Sequence, residues 1–249
     1  MNLLTFFAPL AFIALIGTSS AALVVGLPIP ITHEVRVQGI IVSEDDGTNT
    51  ATYLGTLVQE GQIETLVDEI WSQAGIDITF LPTVDYNSTF ALLGTSDPRP
   101  TSDLNTIVSQ ARSDGILHPD VRVINMFFVK NPAGFSTGLS ANTAAGLAFV
   151  GGNGITQYIG ANLPGFSGGR DSAASVISHE IGHNLGLHHL VEAENLMQPG
   201  GSSDPGARFN ASQITTAHNS NFSAMIVPEP SSLILSMVGA ITLVSRRRR

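Results

Sequence analysis

The chain of 249 residues contains no cysteine, so disulfides are excluded. A chain of this kind must draw its stability from an apolar core or from bound metal ions. Charge is also scarce: 12% of residues are Asp, Glu, Lys or Arg, and the net charge is −9. Four of the 11 basic residues are Arg246 to Arg249. Setting aside their +4 and the −1 of Glu229 leaves −12 on the rest, a balance that seeks neither nucleic acid nor anionic membrane. Low charge together with 25 glycines fits a loop-rich exported protein rather than a helical bundle. No internal repeat is evident.

Both ends carry segments to set aside before the fold is read. Leu3 to Ile16 is an apolar run, and Ser19-Ser20-Ala21-Ala22 supplies small residues for cleavage, so residues 1–22 read as a signal peptide. No Lys or Arg precedes the run, which leaves a retained membrane anchor as the other reading. At the far end Val227-Pro228-Glu229-Pro230 leads into the apolar segment Leu233 to Val244 and then the arginines. That segment is shorter than the roughly 20 residues of a spanning helix, but the basic cluster after it suits the positive-inside rule. The order resembles the PEP-CTERM sorting signal of Gram-negative bacteria over residues 227–249. The resemblance implies an exosortase-type sorting enzyme as partner, transient inner-membrane association, and delivery to the cell envelope or an extracellular matrix. A plain tail anchor is the alternative. Residues 23–226 remain as one domain.

Leu23 to His33 is an extended lead with Pro28 and Pro30, too short for a folded pro-segment. Glu34 to Val42 predicts a strand with Val35, Val37 and Ile41 on one face, interrupted by Gly39. Glu44-Asp45-Asp46-Gly47 predicts a turn; its acids have the chemistry for calcium, but a solvated turn is the simpler reading. Gln62 to Ala74 places Ile63, Leu66, Val67, Ile70, Trp71 and Ala74 on one helical face, ended by Gly75. Ile76 to Leu81 alternates as a strand, Thr101 to Arg112 repeats the helical pattern, and Val121 to Val129 is apolar enough for an interior strand. The series predicts a mostly parallel sheet carrying helices. Asn153 to Gly169 is Gly-rich and reads as irregular; Asp171 or Ser172 is the expected cap of the next helix, and Asn210 that of a last one from Ala211 to about Asn219.

That next helix contains His179-Glu180-x-x-His183-x-x-Gly186-x-x-His189. Residues four apart share a helical face, so His179 and His183 aim at one point. Gly186 then allows the helix to stop and the chain to turn, bringing up His189 as a third nitrogen ligand. Three imidazoles leave the fourth zinc position open, the arrangement of a catalytic site, and Glu180 is placed to take a proton from water there. His188 reads as simply exposed, and His33, His118 and His218 as isolated.

The pattern resembles the metzincin metallopeptidases, whose extended motif is followed by a Met-containing turn. Asn195-Leu196-Met197-Gln198-Pro199 looks like that turn. The resemblance implies an α/β (α+β) fold: a twisted, mostly parallel sheet with an antiparallel edge strand, a zinc-binding helix and a small C-terminal lobe. It also implies Met197 as an apolar floor beneath the ligands. Gly146 to Gly152 resembles the edge strand of adamalysin-like members, with Ala148, Phe149 and Val150 as the substrate shelf, and Pro199 to Arg208 would shape the specificity pocket. Leu190 stands where adamalysin-like members have Asp after the third His, the short spacing to Met197 is closer to matrixins, and no Tyr closely follows Met197. The absence of cysteine excludes latency through a zinc-bound thiolate. The expected function is an exported zinc endopeptidase acting on proteins or peptides with one catalytic zinc ion. The competing expectation is a non-catalytic zinc-binding or structural protein of the envelope or matrix built on the same scaffold.

Overall fold

Val35 and Val37 are fully buried in strand β1 (His33–Ser43) of the computed structural model, which describes residues 24–135, 142–159, 169–199 and 206–226. The expected signal peptide, the sorting signal and most of the loop between Pro199 and Arg208 lie outside the described residues. After β1 come α1 (Leu57–Ser72), β2 (Ile76–Asn87), α2 (Thr89–Leu93), β3 (Arg99–Pro100), α3 (Asp103–Ser113) and β4 (Ile124–Val129). The second half runs β5 (Ala133–Phe135), β6 (Asn142–Ala144), β7 (Gly146–Ala148), β8 (Ile155–Tyr158), α4 (Gly169–Asn184), α5 (Ala211–His218) and β9 (Ser223–Met225).

The main sheet has the order β2-β1-β4-β8-β7, and β9 adds antiparallel to the start of β1. β2, β1, β4 and β8 are mutually parallel, whereas β7 is antiparallel to β8 and forms the edge. This is the mixed α/β architecture that the strand and helix periodicities predict. All six residues of β4 are buried, as an interior strand covered on both faces requires. α1 packs on β2 and α4, and α2 packs on β1 and β4. A small second sheet joins β3, β5 and β6.

Several boundaries differ from expectation for identifiable reasons. α1 starts at Leu57, not Gln62, because Thr56 and Gln59 form a capping box; Leu57 and Val58 in its first turn are exposed and carry no amphipathic signal. Ile40 and Val42, rather than Ile41, are the fully buried residues after Gly39, because the better covered face switches there from the one carrying Val35 and Val37 to the opposite one. β4 begins at Ile124, and Val121 is exposed. α4 begins at Gly169, so Asp171 sits in its first turn instead of capping it. The stretch read as irregular holds β8, whose Ile155, Thr156 and Gln157 are buried between β4 and β7.

The alternation predicts a strand over Ile76 to Leu81, but β2 continues through Pro82 to Asn87. Proline has no amide for the ladder, and the register slips there: Gln38 faces Leu81, whereas Ile40 faces Val84. The Gln38 side-chain amide, itself buried, donates to the Pro82 carbonyl.

Gln73, just past α1, gathers the chain's distant parts. Its Nε2 donates to the carbonyls of Ile70 (2.8 Å) and Ala207, and its Oε1 accepts from the amides of Gly26 (3.1 Å) and Phe209 (3.3 Å). The neighbouring Arg208 carbonyl accepts from the Leu196 amide (2.9 Å), so α1 supports the turn that carries Met197. Replacing Gln73 strands buried backbone groups at a cost of about 1–3 kcal/mol. Gln73→Ala is therefore expected to lower the urea midpoint of unfolding with an unchanged slope.

Candidate metal centre

His179 and His183 lie one turn apart on α4, and the helix ends at Asn184. Gly186 then adopts φ +95°, a left-handed conformation that a side chain resists. The amides of Gly186 and Leu187 close this end on the carbonyls of His183 (2.9 Å) and Gly182 (2.9 Å). The turn reverses the chain and brings His189 to the other two rings. His179 and His189 Nε2 are 3.3 Å apart, His183 and His189 Nε2 3.2 Å, and the donor atoms of all three lie within 4.8 Å of one another.

Two carbonyls set the ring orientations. His179 Nδ1–H donates to Leu196 O (2.7 Å), and His183 Nδ1–H donates to Leu187 O (2.7 Å). A carbonyl only accepts, so both Nδ1 atoms carry the proton and both Nε2 lone pairs face inward. One proton on His189 Nε2 can satisfy at most one of them. Convergence of three such atoms is instead the donor set of a divalent cation. Donors about 2.0–2.1 Å from a tetrahedral zinc stand about 3.3 Å apart, which the observed spacing fits. Among the described residues this is the one cluster of three or more His, Asp or Glu with metal-binding spacing.

The electrostatics agree. Burial lowers the pKa of all three imidazoles, that of His179 to about 4, and neighbouring rings add to the effect. The rings are therefore neutral at pH 7, the state a metal requires. Burial pushes the Glu180 carboxyl up to about 8; a cation at the three rings acts in the opposite direction. Glu180 lies against the edge strand: a Cβ on Gly146 would stand 2.4 Å from its Cγ and 2.6 Å from its Oε1, so only glycine fits there. Met197 is fully buried, with its Sδ against Gly182 between the two helix ligands.

A residue that the sequence motif leaves unspecified joins this helix to the edge strand. Asn184 is completely buried; its Nδ2 donates to Phe149 O (2.9 Å) and Gly154 O (3.3 Å), and its Oδ1 accepts from Gly154 N (3.4 Å). Gly151 N donates to His183 O (2.8 Å). Two consecutive helix residues thus hold the β7–β8 turn. The available signal was a polar residue directly after a ligand, at the helix end, where a solvated side chain is the default reading. Of the expected shelf, Ala148 is the last residue of β7, whereas Phe149 and the exposed Val150 lie in the turn beyond it. His188 is exposed. His33 and His218, expected to be isolated, stack on each other with ring centroids 4.0 Å apart, away from the cluster.

Asn184→Ala leaves Phe149 O and Gly154 N without their partner, while Gly154 O keeps the Phe149 amide, and each such loss costs about 1–3 kcal/mol. The measurement is amide exchange, expected to accelerate at Gly151 and Gly154 before the rest of the sheet. Acid should act separately. The depressed His pKa values mean the unfolded chain binds more protons than the folded one between about pH 6.5 and 4. The histidines' contribution, present above 6.5, is lost as pH falls through that window, and metal retention, measured by metal content after dialysis, is expected to drop there.

The sequence matches the family described as Metallo-peptidase family M12B Reprolysin-like over residues 65–190, and the PEP-CTERM protein-sorting motif over residues 227–249. No curated protein matches it. Similar solved structures include metalloproteinase-II from Bacteroides fragilis, at 17% identity and a TM-score of 0.48, covering 77% of this chain. This chain spans 56% of that protein's length. An archaemetzincin from Archaeoglobus fulgidus has 16% identity and a TM-score of 0.44, covering 74% of this chain and 99% of its own. One from Methanopyrus kandleri has 15% and 0.46, covering 75% and 95%. With its three converging imidazoles inside the matched region, the chain belongs to the M12B reprolysin-like metallopeptidases and carries a PEP-CTERM sorting signal.

Proposed function

We propose that this metallopeptidase is an exported zinc endopeptidase in which His179, His183 and His189 hold one zinc ion and Glu180 is the general base. The observation that carries this reading is the place of Glu180. It follows the first ligand in sequence, is buried, and borders the edge strand at Gly146. When bound, zinc supplies a Lewis acid that makes water nucleophilic near neutral pH and polarises the scissile carbonyl. Glu180 takes the proton of the attacking water and returns it to the leaving amine nitrogen, which breaks the peptide bond.

A substrate peptide adds along the outer side of β7 as a further strand, held by main-chain hydrogen bonds. Ala148 lies within this shelf, and Phe149 and Val150 extend it into the turn. Met197 gives the ligands an apolar floor, and the segment after it, as far as α5, forms a small C-terminal lobe that returns to the main sheet through β9. Residues 1–22 direct export. The C-terminal segment holds the protein transiently at the inner membrane of a Gram-negative bacterium until an exosortase-type enzyme sorts it to the envelope or matrix.

The test is casein digestion by the purified protein beside Glu180→Gln, with zinc content measured on both. The variant keeps all three imidazoles, so zinc should remain at one per chain while hydrolysis falls by about 10²- to 10⁴-fold. Equal digestion by both, or none by either despite bound zinc, would favour a non-catalytic zinc-binding scaffold.

A further inference from the structure

Eleven large apolar side chains are exposed among the described residues, and five of them lie on two neighbouring segments: Leu27, Ile29 and Ile31 on the lead into β1, and Met225 and Ile226 at the end of β9. Scattered exposed apolar residues are ordinary, but a cluster marks a surface that something covers. Main-chain bonds fix this one to the fold. The Ile226 amide donates to Thr32 O (2.9 Å), Met225 pairs with His33, and the Ile29 amide donates to Ser72 O (3.1 Å) at the end of α1. Leu27 is 89% exposed and Met225 71%.

We propose that this face docks on the lipid bilayer while the C-terminal segment is membrane-bound. The inference rests on the reading of residues 227–249 given above. Ile226 is the last residue before that segment, and seven steps of extended chain at about 3.3–3.6 Å each keep Leu233 within about 25 Å of it. A bilayer that takes up Leu233 to Val244 is therefore always within reach of the face, which raises its effective concentration there. The chemistry matches as well. Although the body carries −12, residues 24–32 and 219–226 contain no ionisable side chain, so nothing charged on these two segments must be dehydrated on contact. An apolar segment shorter than a full span gains from a second, interfacial contact of this kind.

Because the chain has no cysteine, a single environment-sensitive fluorophore can be placed on Leu27→Cys and, as control, on Leu57→Cys. Leu57 is 86% exposed at the start of α1, the opposite end of the helix from Ser72. Protein beginning at residue 23 and keeping its C-terminal segment is floated with phosphatidylcholine vesicles containing spin-labelled lipid. The probe at residue 27 is expected to shift to the blue and to be quenched by the lipid, while the probe at 57 shows neither change. Adding Ile29→Ser and Met225→Ser should return the first probe to water. If the protein floats but the two probes are equally wet, the docking proposal fails while the tail reading stands. If it does not float, both fail. A shielded but unquenched probe at 27 would mean contact with protein, such as a second copy, and would also overturn the proposal.

Discussion

The centre depends on the direction in which two imidazole rings are made to point. Leu187 O and Leu196 O each accept an Nδ1–H at 2.7 Å, and with those protons placed, the remaining lone pairs of His179 and His183 have nowhere to go but inward. One carbonyl belongs to the turn that ends α4 and the other to the turn that carries Met197. The second is supported from outside the motif, through Arg208 O and the Gln73 hub at the end of α1. Ring orientation is thus set by backbone far apart in sequence, which is why the motif alone needs a whole domain around it.

The ligands are also tied to the sheet. His183 O and the Asn184 side chain hold the β7–β8 turn, while Glu180 rests on Gly146 at the other end of the same short strand. Movement of the helix relative to the edge strand would break the first contact or crowd the second. Helix and strand therefore behave as one rigid unit, the condition under which side chains on separate elements keep a fixed separation.

What could be read from the sequence was what periodicity or spacing encodes. Val35, Val37, Ile63, Val67, Ile70, Leu104, Ile107 and Ala111 are all buried as their spacing requires, and the three histidines meet at the offsets of their motif. What escaped was encoded elsewhere. β8 has Thr156 and Gln157 at its centre, so its sequence does not announce an interior strand, and only its pairing with β4 and β7 makes it one. The first turn of α1 is written in a capping box, not in apolar residues. Asn184 and Gly146 matter through contacts across the fold, which no local pattern records.

The bulge at Pro82 bears on more than the length of β2. A twelve-residue outer strand would ordinarily invite other chains to pair with it. With one amide missing and the register displaced midway, that flank is a poor template. The sheet is consequently asymmetric, with one flank blunted against self-association by its bulge and the opposite flank, beside the histidines, ending in a strand whose register runs without a slip.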